Sequence, residues 1–378
     1  MKKSLIIIAS LFVLASCVYP YEATLKGTEQ DIVVLEGSIV VGGVSTVKIS
    51  KMRPIDTDSF IPGKTKGTAW VEDDQGGRYN SSSTEASSLI NIPMENARSG
   101  RKYRMMATVE GETYASDWMD IVPPPVIEDV TFSSSNRSTD VIVGVTLNGG
   151  EAATGYIGLT YEETWEFHTD YLCRYELDTT RWRVYERTTE YPNYWCWANA
   201  ASTDMTLVDY TQISGDRIVE FPLHSFPRTS GRNHKKYSIK VNAVTLPAAT
   251  YRYLKNLQDI TQGSGSLFSP NPGEMASNII CESNPDLSVL GYVTTSLSTS
   301  KRAFLDSRYY TPLMPPTNYL FISENFREDY EYGYYPVDLM ILPRGENGED
   351  VEGVYWGPLR CIDCIEAGGT KEKPDFWE

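Results

Sequence analysis

Six cysteines, three histidines and a strand-borne group of carboxylates are the side chains in this 378-residue chain best suited to chemistry. Cys17 closes the tetrad Leu14-Ala15-Ser16-Cys17, behind Lys2, Lys3 and an apolar run from Leu5 to Leu14. A basic start, a short apolar run and small residues before a cysteine form a secretory signal with a lipobox. The chemistry this predicts is acylation of the Cys17 thiol. Each methylene of the acyl chains then contributes about 0.8 kcal/mol of membrane affinity. An apolar run of roughly ten residues is too short to span a bilayer, and no later stretch offers the run of about eighteen that a membrane helix needs. Val18 follows the cysteine where an inner-membrane retention signal would place an aspartate, so the expected address is the outer membrane. The cell-surface side is expected, with Glu22 as the nearby acidic residue.

Five further cysteines, Cys173, Cys196, Cys281, Cys361 and Cys364, are disulfide candidates, since thiols outside the cytoplasm tend to oxidise. Their odd number leaves at least one unpaired within the chain. Cys361 and Cys364 have the spacing of a redox pair or of half a zinc site. A redox pair belongs at a helix start in a βαβ unit, whereas this one follows a strand-like run near the C-terminus. A structural zinc site needs a second ligand pair that only distant cysteines supply. The expected role is therefore a structural disulfide, with Cys361 or Cys364 joined to Cys281. No metal or cofactor is expected.

His168, His224 and His234 occur without an HExxH, GxSxG or Walker pattern, so a hydrolase built on a histidine base is not indicated. Glu162, Glu163 and Glu166, beside Trp165, raise the question of a two-carboxylate glycosidase. Acids along a strand are expected to be solvated instead. The acidic GENGED segment at 345–350 lacks EF-hand ligand spacing and reads as a hairpin tip.

The elements that must position these residues are strands. DIVVLEGSIVV and VSTVKIS flank Gly42 and Gly43; TAWVEDDQGGRY turns at Gln75 to Gly77; KYRMMATVEGETYASDW turns at Glu110 to Glu112. Short strands separated by such turns predict an immunoglobulin-like β-sandwich over residues 28–122, after a signal at 1–16 and a tether at 17–27. Pro123, Pro124 and Pro125 mark a domain boundary. A second β-rich domain over 126–378 is expected from strand-like runs at 141–147, 156–167, 181–187 and 217–223 and around Gly291 to Thr295 and Arg302 to Leu305. In KYSIKVNAV, Tyr237, Ile239, Val241 and Ala243 share one face. One inserted helix is predicted over 248–262, with Tyr253, Leu254, Leu257 and Ile260 on one face. The fold class is mainly β.

The chain carries 34 Lys and Arg against 50 Asp and Glu, a formal charge of −16. Such a surface repels phosphates and anionic lipid heads, which excludes nucleic acid as a partner. The 25 tyrosines suit β-sheet cores and also contact surfaces for glycans or proteins. Tyr309, Tyr310, Tyr319, Tyr330, Tyr332, Tyr334 and Tyr335 lie in a Tyr- and Pro-dense stretch expected to form long irregular loops, and are the binding candidates.

The stretches VPPPVIEDVTF, YRYLKNLQDITQGSGSLFSPNPGEMASNI, CESNPDLSVLGYVTTS and CIDCIEAGGTKEKPDFWE resemble a family of Bacteroidetes lipoproteins whose genes often accompany TonB-dependent outer-membrane receptors. The terminal stretch is the most specific, with Cys361, Cys364, Gly368, Gly369, Thr370, Lys373, Pro374, Phe376 and Trp377 matching the family pattern. The resemblance implies an outer-membrane lipoprotein with an N-terminal sandwich acting beside a receptor, and supplies no catalytic residues. The expected function is non-catalytic: an accessory or ligand-capture partner of a TonB-dependent receptor, with a glycan or peptide as ligand. A glycan- or peptide-acting enzyme and a structural envelope or pilus-assembly subunit are the alternatives.

Overall fold

The computed structural model describes residues 32–52, 65–98, 100–134, 140–149, 155–212, 215, 217–263, 277–306, 320–341 and 352–377. Cys17, Tyr309, Tyr310, Tyr319 and the GENGED segment lie outside them. The architecture is mainly β. Among the described residues no helix is long and apolar enough to cross a membrane.

Two sheets face each other in the first sandwich. One has the strand order Val289–Ser296, Val33–Val40, Val44–Lys51, Leu89–Pro93; the other runs Ile279–Cys281, Glu112–Ser116, Lys102–Val109, Gly67–Asp73, Arg78–Asn80. Period-2 patterning places the side chains: Ser45, Val47 and Ile49 are buried while Val44, Thr46 and Lys48 are exposed. Ile39, Ile49, Val71, Ile92, Met94 and Tyr103 fill the space between the sheets. The turn at Glu110 and Gly111 has positive φ at both positions, 53° and 92°, the geometry that matches strand twist in a two-residue hairpin.

The expected boundary at 122 is crossed. Ile279–Cys281 pairs antiparallel with Glu112–Ser116, and Val289–Ser296 runs parallel to Val33–Val40, from Val33↔Val289 to Val40↔Ser296. The first sandwich is thus completed by a segment more than 150 residues downstream of Pro125 in the sequence. Alternation in a short run specifies a strand but not its partner, because pairing depends on contacts distant along the chain.

The second sandwich packs Arg217–Pro227, Asp140–Asn148 and Val126–Ser133 against Trp195–Ala201, Tyr156–His168, Lys236–Leu246 and Ser298–Asp306. Val141, Val143, Val145, Leu147, Ile157 and Leu159 form its core, with Tyr237, Ile239, Val241 and Ala243, which do share one buried face. Helix Ala248–Gly263, one residue longer than expected, lies against both sandwiches. Tyr251 stacks on Tyr156 at 4.0 Å, and Tyr253 stacks on Tyr292 at 4.4 Å.

A smaller C-terminal unit joins strands Phe321–Ile322, Glu352–Pro358 and Tyr334–Ile341 to the hairpin Tyr175–Asp178/Arg183–Glu186 around Cys173, Val337 and Ile362. The stretch expected to be irregular holds a short helix, Phe326–Glu331, besides the start of a strand. Asn325 caps that helix by accepting the Glu328 N–H, and Phe326 stacks on the buried Trp356 at 5.2 Å.

Candidate functional site

The terminal tail is a strap, and its cysteine chemistry is structural. Cys364 is bonded to Cys196 of strand Trp195–Ala201. The expected pairing with Cys281 is overturned, because Cys281 is a buried thiol in the edge strand of the first sandwich. Cys173 and Cys361 are also free and buried, and burial raises both thiol pKa values, which keeps them protonated and unreactive. Cys361 ends a 3-10 turn, Leu359–Cys361, not the helix start a redox pair requires.

Around the bond several tail residues have partners on the second sandwich and the segment leading into it. Trp197 and Thr370 exchange both backbone hydrogen bonds, at 2.8 and 2.7 Å. Lys371 donates to the carbonyls of Pro192 and Trp195, each at 2.7 Å. A Cβ on Gly369 would fall 2.6 Å from that of Cys196, so only glycine fits there. Asp363 accepts from the Tyr191 hydroxyl at 2.5 Å and from Asn193 at 2.8 Å. Burial opposes its charge, but these bonds outweigh it and hold the carboxyl below its usual pKa.

The strand carboxylates are not the solvated set expected. Glu162 is exposed, but Glu163 and Glu166 are 3% and 7% exposed. Alternation turns them to opposite faces. Glu163 points with Ile157 and Leu159 into the sandwich, while Glu166 lies outside it, paired with Lys235 and reached by the Trp377 N–H at 3.4 Å. Two acids on opposite sides of a sheet cannot flank one glycosidic bond.

Glu163 is the centre of a buried polar network. It accepts from Arg232 at 2.8 and 3.1 Å and from the Tyr237 hydroxyl at 2.9 Å, with His224 Nε2 3.2 Å away. Burial disfavours its charge, yet His224, Arg232 and Tyr237 together hold its pKa near 2. Arg232 also lies over Trp165 at 4.4 Å, and Tyr161 bonds His224 Nδ1 at 2.9 Å. His234 stacks on His168 at 4.5 Å, and burial, with His168 beside it, pushes its pKa down to about 4. Among the described residues no three His, Cys, Asp or Glu side chains form a metal-binding group.

The binding candidates divide. Tyr334 packs edge-on to Phe321 at 5.0 Å. Tyr330 and Tyr335 meet at 5.3 Å, Tyr330 continues to Trp182 at 6.2 Å, and the Arg327 guanidinium stands 5.7 Å from the Trp182 ring. Tyr332 is 74% exposed. Helix Phe326–Glu331 and the tip of the hairpin Tyr175–Asp178/Arg183–Glu186 thus present one aromatic surface, on which Arg327 is also paired with Glu331 at 3.1 Å. Trp182 has φ of 52°, a conformation rare for a bulky side chain. The hairpin tip is shaped by Asp178, which accepts the backbone N–H groups of Thr180 and Arg181 at 2.8 and 3.1 Å. Strain of this kind persists where surrounding structure enforces it, and it clusters at functional surfaces. Trp182 and Arg327 were not among the sequence candidates. Trp182 sits in a run that reads as strand, and the helix carrying Arg327 in one that reads as loop.

The geometry defines a double β-sandwich protein with an aromatic C-terminal unit strapped on by a disulfide. Residues 18–302 match the family model of a domain of unknown function, DUF4249, and the chain belongs to that family. No curated protein matches it. Among solved structures it is similar to a two fibronectin type III domain segment from chicken tenascin, at 11% identity over 56% of this chain and 88% of that one, with a TM-score of 0.16.

Proposed function

We propose that this protein is an outer-membrane lipoprotein, anchored through Cys17 and facing the cell surface, that works by non-covalent binding as an accessory or ligand-capture partner of a TonB-dependent receptor. The observation that carries this reading is the surface formed by Trp182, Arg327, Tyr330, Tyr332 and Tyr335 on a disulfide-tied scaffold. Aromatic rings with polar tips and an arginine provide large contact area at low entropic cost. Anchoring both partners in one membrane raises the effective concentration of a weak contact. The opposed faces of Glu163 and Glu166 count against the glycosidase alternative.

The test is a mild-detergent pull-down from outer membranes with partners identified by mass spectrometry. A receptor barrel is expected with the wild type, and its recovery should fall with Trp182→Ala and Tyr332→Ala. Recovery of the protein alone, together with turnover of glycans or peptides by the purified sample, replaces this reading with the enzyme one. Labelling with a palmitate analogue should mark the wild type and miss Cys17→Ala, and protease accessibility on intact cells reads the side of the membrane.

A further inference from the structure

We infer that the cleft beneath the terminal strap is a second binding site, and that it takes an anionic sugar. The cleft is built by strand register. On the outer face of the second sandwich Trp197 lies opposite Glu166, Glu166 opposite Lys236, and Lys236 opposite Asp306, so four strands contribute one transverse row. Lys235 borders this row, and Lys373 and Trp377 of the strap roof it. The cleft is open to solvent and has a volume of about 560 Å³, within the range of small-molecule sites.

Charge and ring chemistry select the ligand. The chain has a formal charge of −16, yet three lysines face two carboxylates here. Lys235 is ion-paired with Glu166, and Lys236 stands across from Asp306. Lys373 is exposed and has no carboxylate partner among the described residues. A local cationic excess inside an acidic surface attracts an anion from solution, since neighbouring acidic surface turns it away elsewhere.

The indoles of Trp197 and Trp377 bound the same space. Trp377 is held edge-on by Phe304 at 5.8 Å and is 4% exposed, so it is fixed before any ligand arrives. Trp197 is only partly buried, and an indole face packs against flat, partly apolar rings such as the C–H face of a sugar. One ring-bearing anion answers the lysine excess and the partly exposed Trp197 indole together.

This inference does not depend on receptor contact, because the aromatic surface of the C-terminal unit is made of other residues. The experiment is calorimetric titration of the full chain in detergent with galacturonate oligomers, neutral galactose oligomers and galactose phosphate. The acidic oligomers should bind, the neutral ones about tenfold or more weakly, and binding should weaken as ionic strength rises. Lys373→Glu, an exposed change that leaves the core intact, should lose about tenfold or more, and Trp197→Phe should weaken binding while keeping a ring. Binding of galactose phosphate alone supports the anionic-sugar assignment and places the charge on phosphate. Equal affinity for acidic and neutral oligomers, no effect of Lys373→Glu, preference for an acidic peptide over both sugars, or no binding of either anionic sugar overturns it.

Discussion

Glu163 and His234 show how single residues tie this fold to pH. The folded pKa of Glu163 is about 2, against an ordinary 4.5, so the unfolded chain takes up that proton first. The stability it contributes is complete above the unfolded value and is lost as pH falls from about 4.5 toward 2. His234 has a folded pKa of about 4 against 6.5, and again the unfolded chain binds the proton first. Stability therefore also falls as pH drops from about 6.5 to 4. Each shift corresponds to roughly 3 kcal/mol. Denaturant melts across pH 7.5 to 2.5 should show both windows, with Glu163→Gln flattening the lower and His234→Phe the upper. Unchanged slopes in both variants would show that these groups are not the titrating ones. Arg232→Ala should cost about 3 to 5 kcal/mol at neutral pH, because it leaves a buried carboxylate short of its cation. None of this network was legible in the sequence. Glu163 belongs to the inward face of its strand, but Arg232, His224 and Tyr237 reach it from 61 to 74 positions away, and such distances are invisible to local patterning.

At the scale of elements, what the sequence revealed was what local physics determines. The turns at Gly42 and at Glu110–Gly111, the buried face of Lys236–Leu246 and the helix from Ala248 were readable because spacing and turn chemistry fix them within a few residues. Partnerships were not readable. Val289–Ser296 alternates like any strand, and only the structure shows that it lies beside Val33–Val40. Gly291 is the residue that permits this. Its φ is +111° and a Cβ would sit 1.9 Å from the Leu35 carbonyl oxygen. Gly291→Ala should destabilise the first sandwich by roughly 3 to 5 kcal/mol, read as a lower urea midpoint. The cysteines follow the same logic, since spacing marked Cys364 as a disulfide residue but did not reveal that Cys196 awaited it 168 positions earlier. Non-reducing peptide mapping should recover Cys196 joined to Cys364, with Cys173, Cys281 and Cys361 as free thiols. Replacing both bonded cysteines by serine should cost up to about 5 kcal/mol in the chain-entropy view. A map joining Cys281 to the tail would refute the strap. The aromatic surface was half legible, because composition flagged the tyrosines but not the Trp182 and Arg327 that a hairpin tip and a short helix bring to them.

For the molecule as a whole, the chain passes between the sandwiches three times, and this changes what counts as a domain. It leaves the first sandwich near Pro123, returns after helix Ala248–Gly263, and crosses again at Leu297, between strands Val289–Ser296 and Ser298–Asp306. The helix lies between the two, with Tyr251 on Tyr156 of one and Tyr253 on Tyr292 of the other. Thr245 of the second sandwich adds a bond to the carbonyl of Pro123, at 2.7 Å. The prolines therefore mark a crossing, not a place where the chain can be cut. A fragment of residues 28–122 lacks Ile279, Cys281 and Val293 from its core and leaves one side of Val33–Val40 and of Glu112–Ser116 unpaired. Unpaired edges and missing core side chains favour aggregation over a packed state. That fragment should show no cooperative thermal transition and poorly dispersed amide spectra, whereas residues 28–306, which contain every strand of both sandwiches, should melt cooperatively with dispersed spectra. A cooperative melt from the shorter piece would mean that the returning strands decorate the sandwich without completing it.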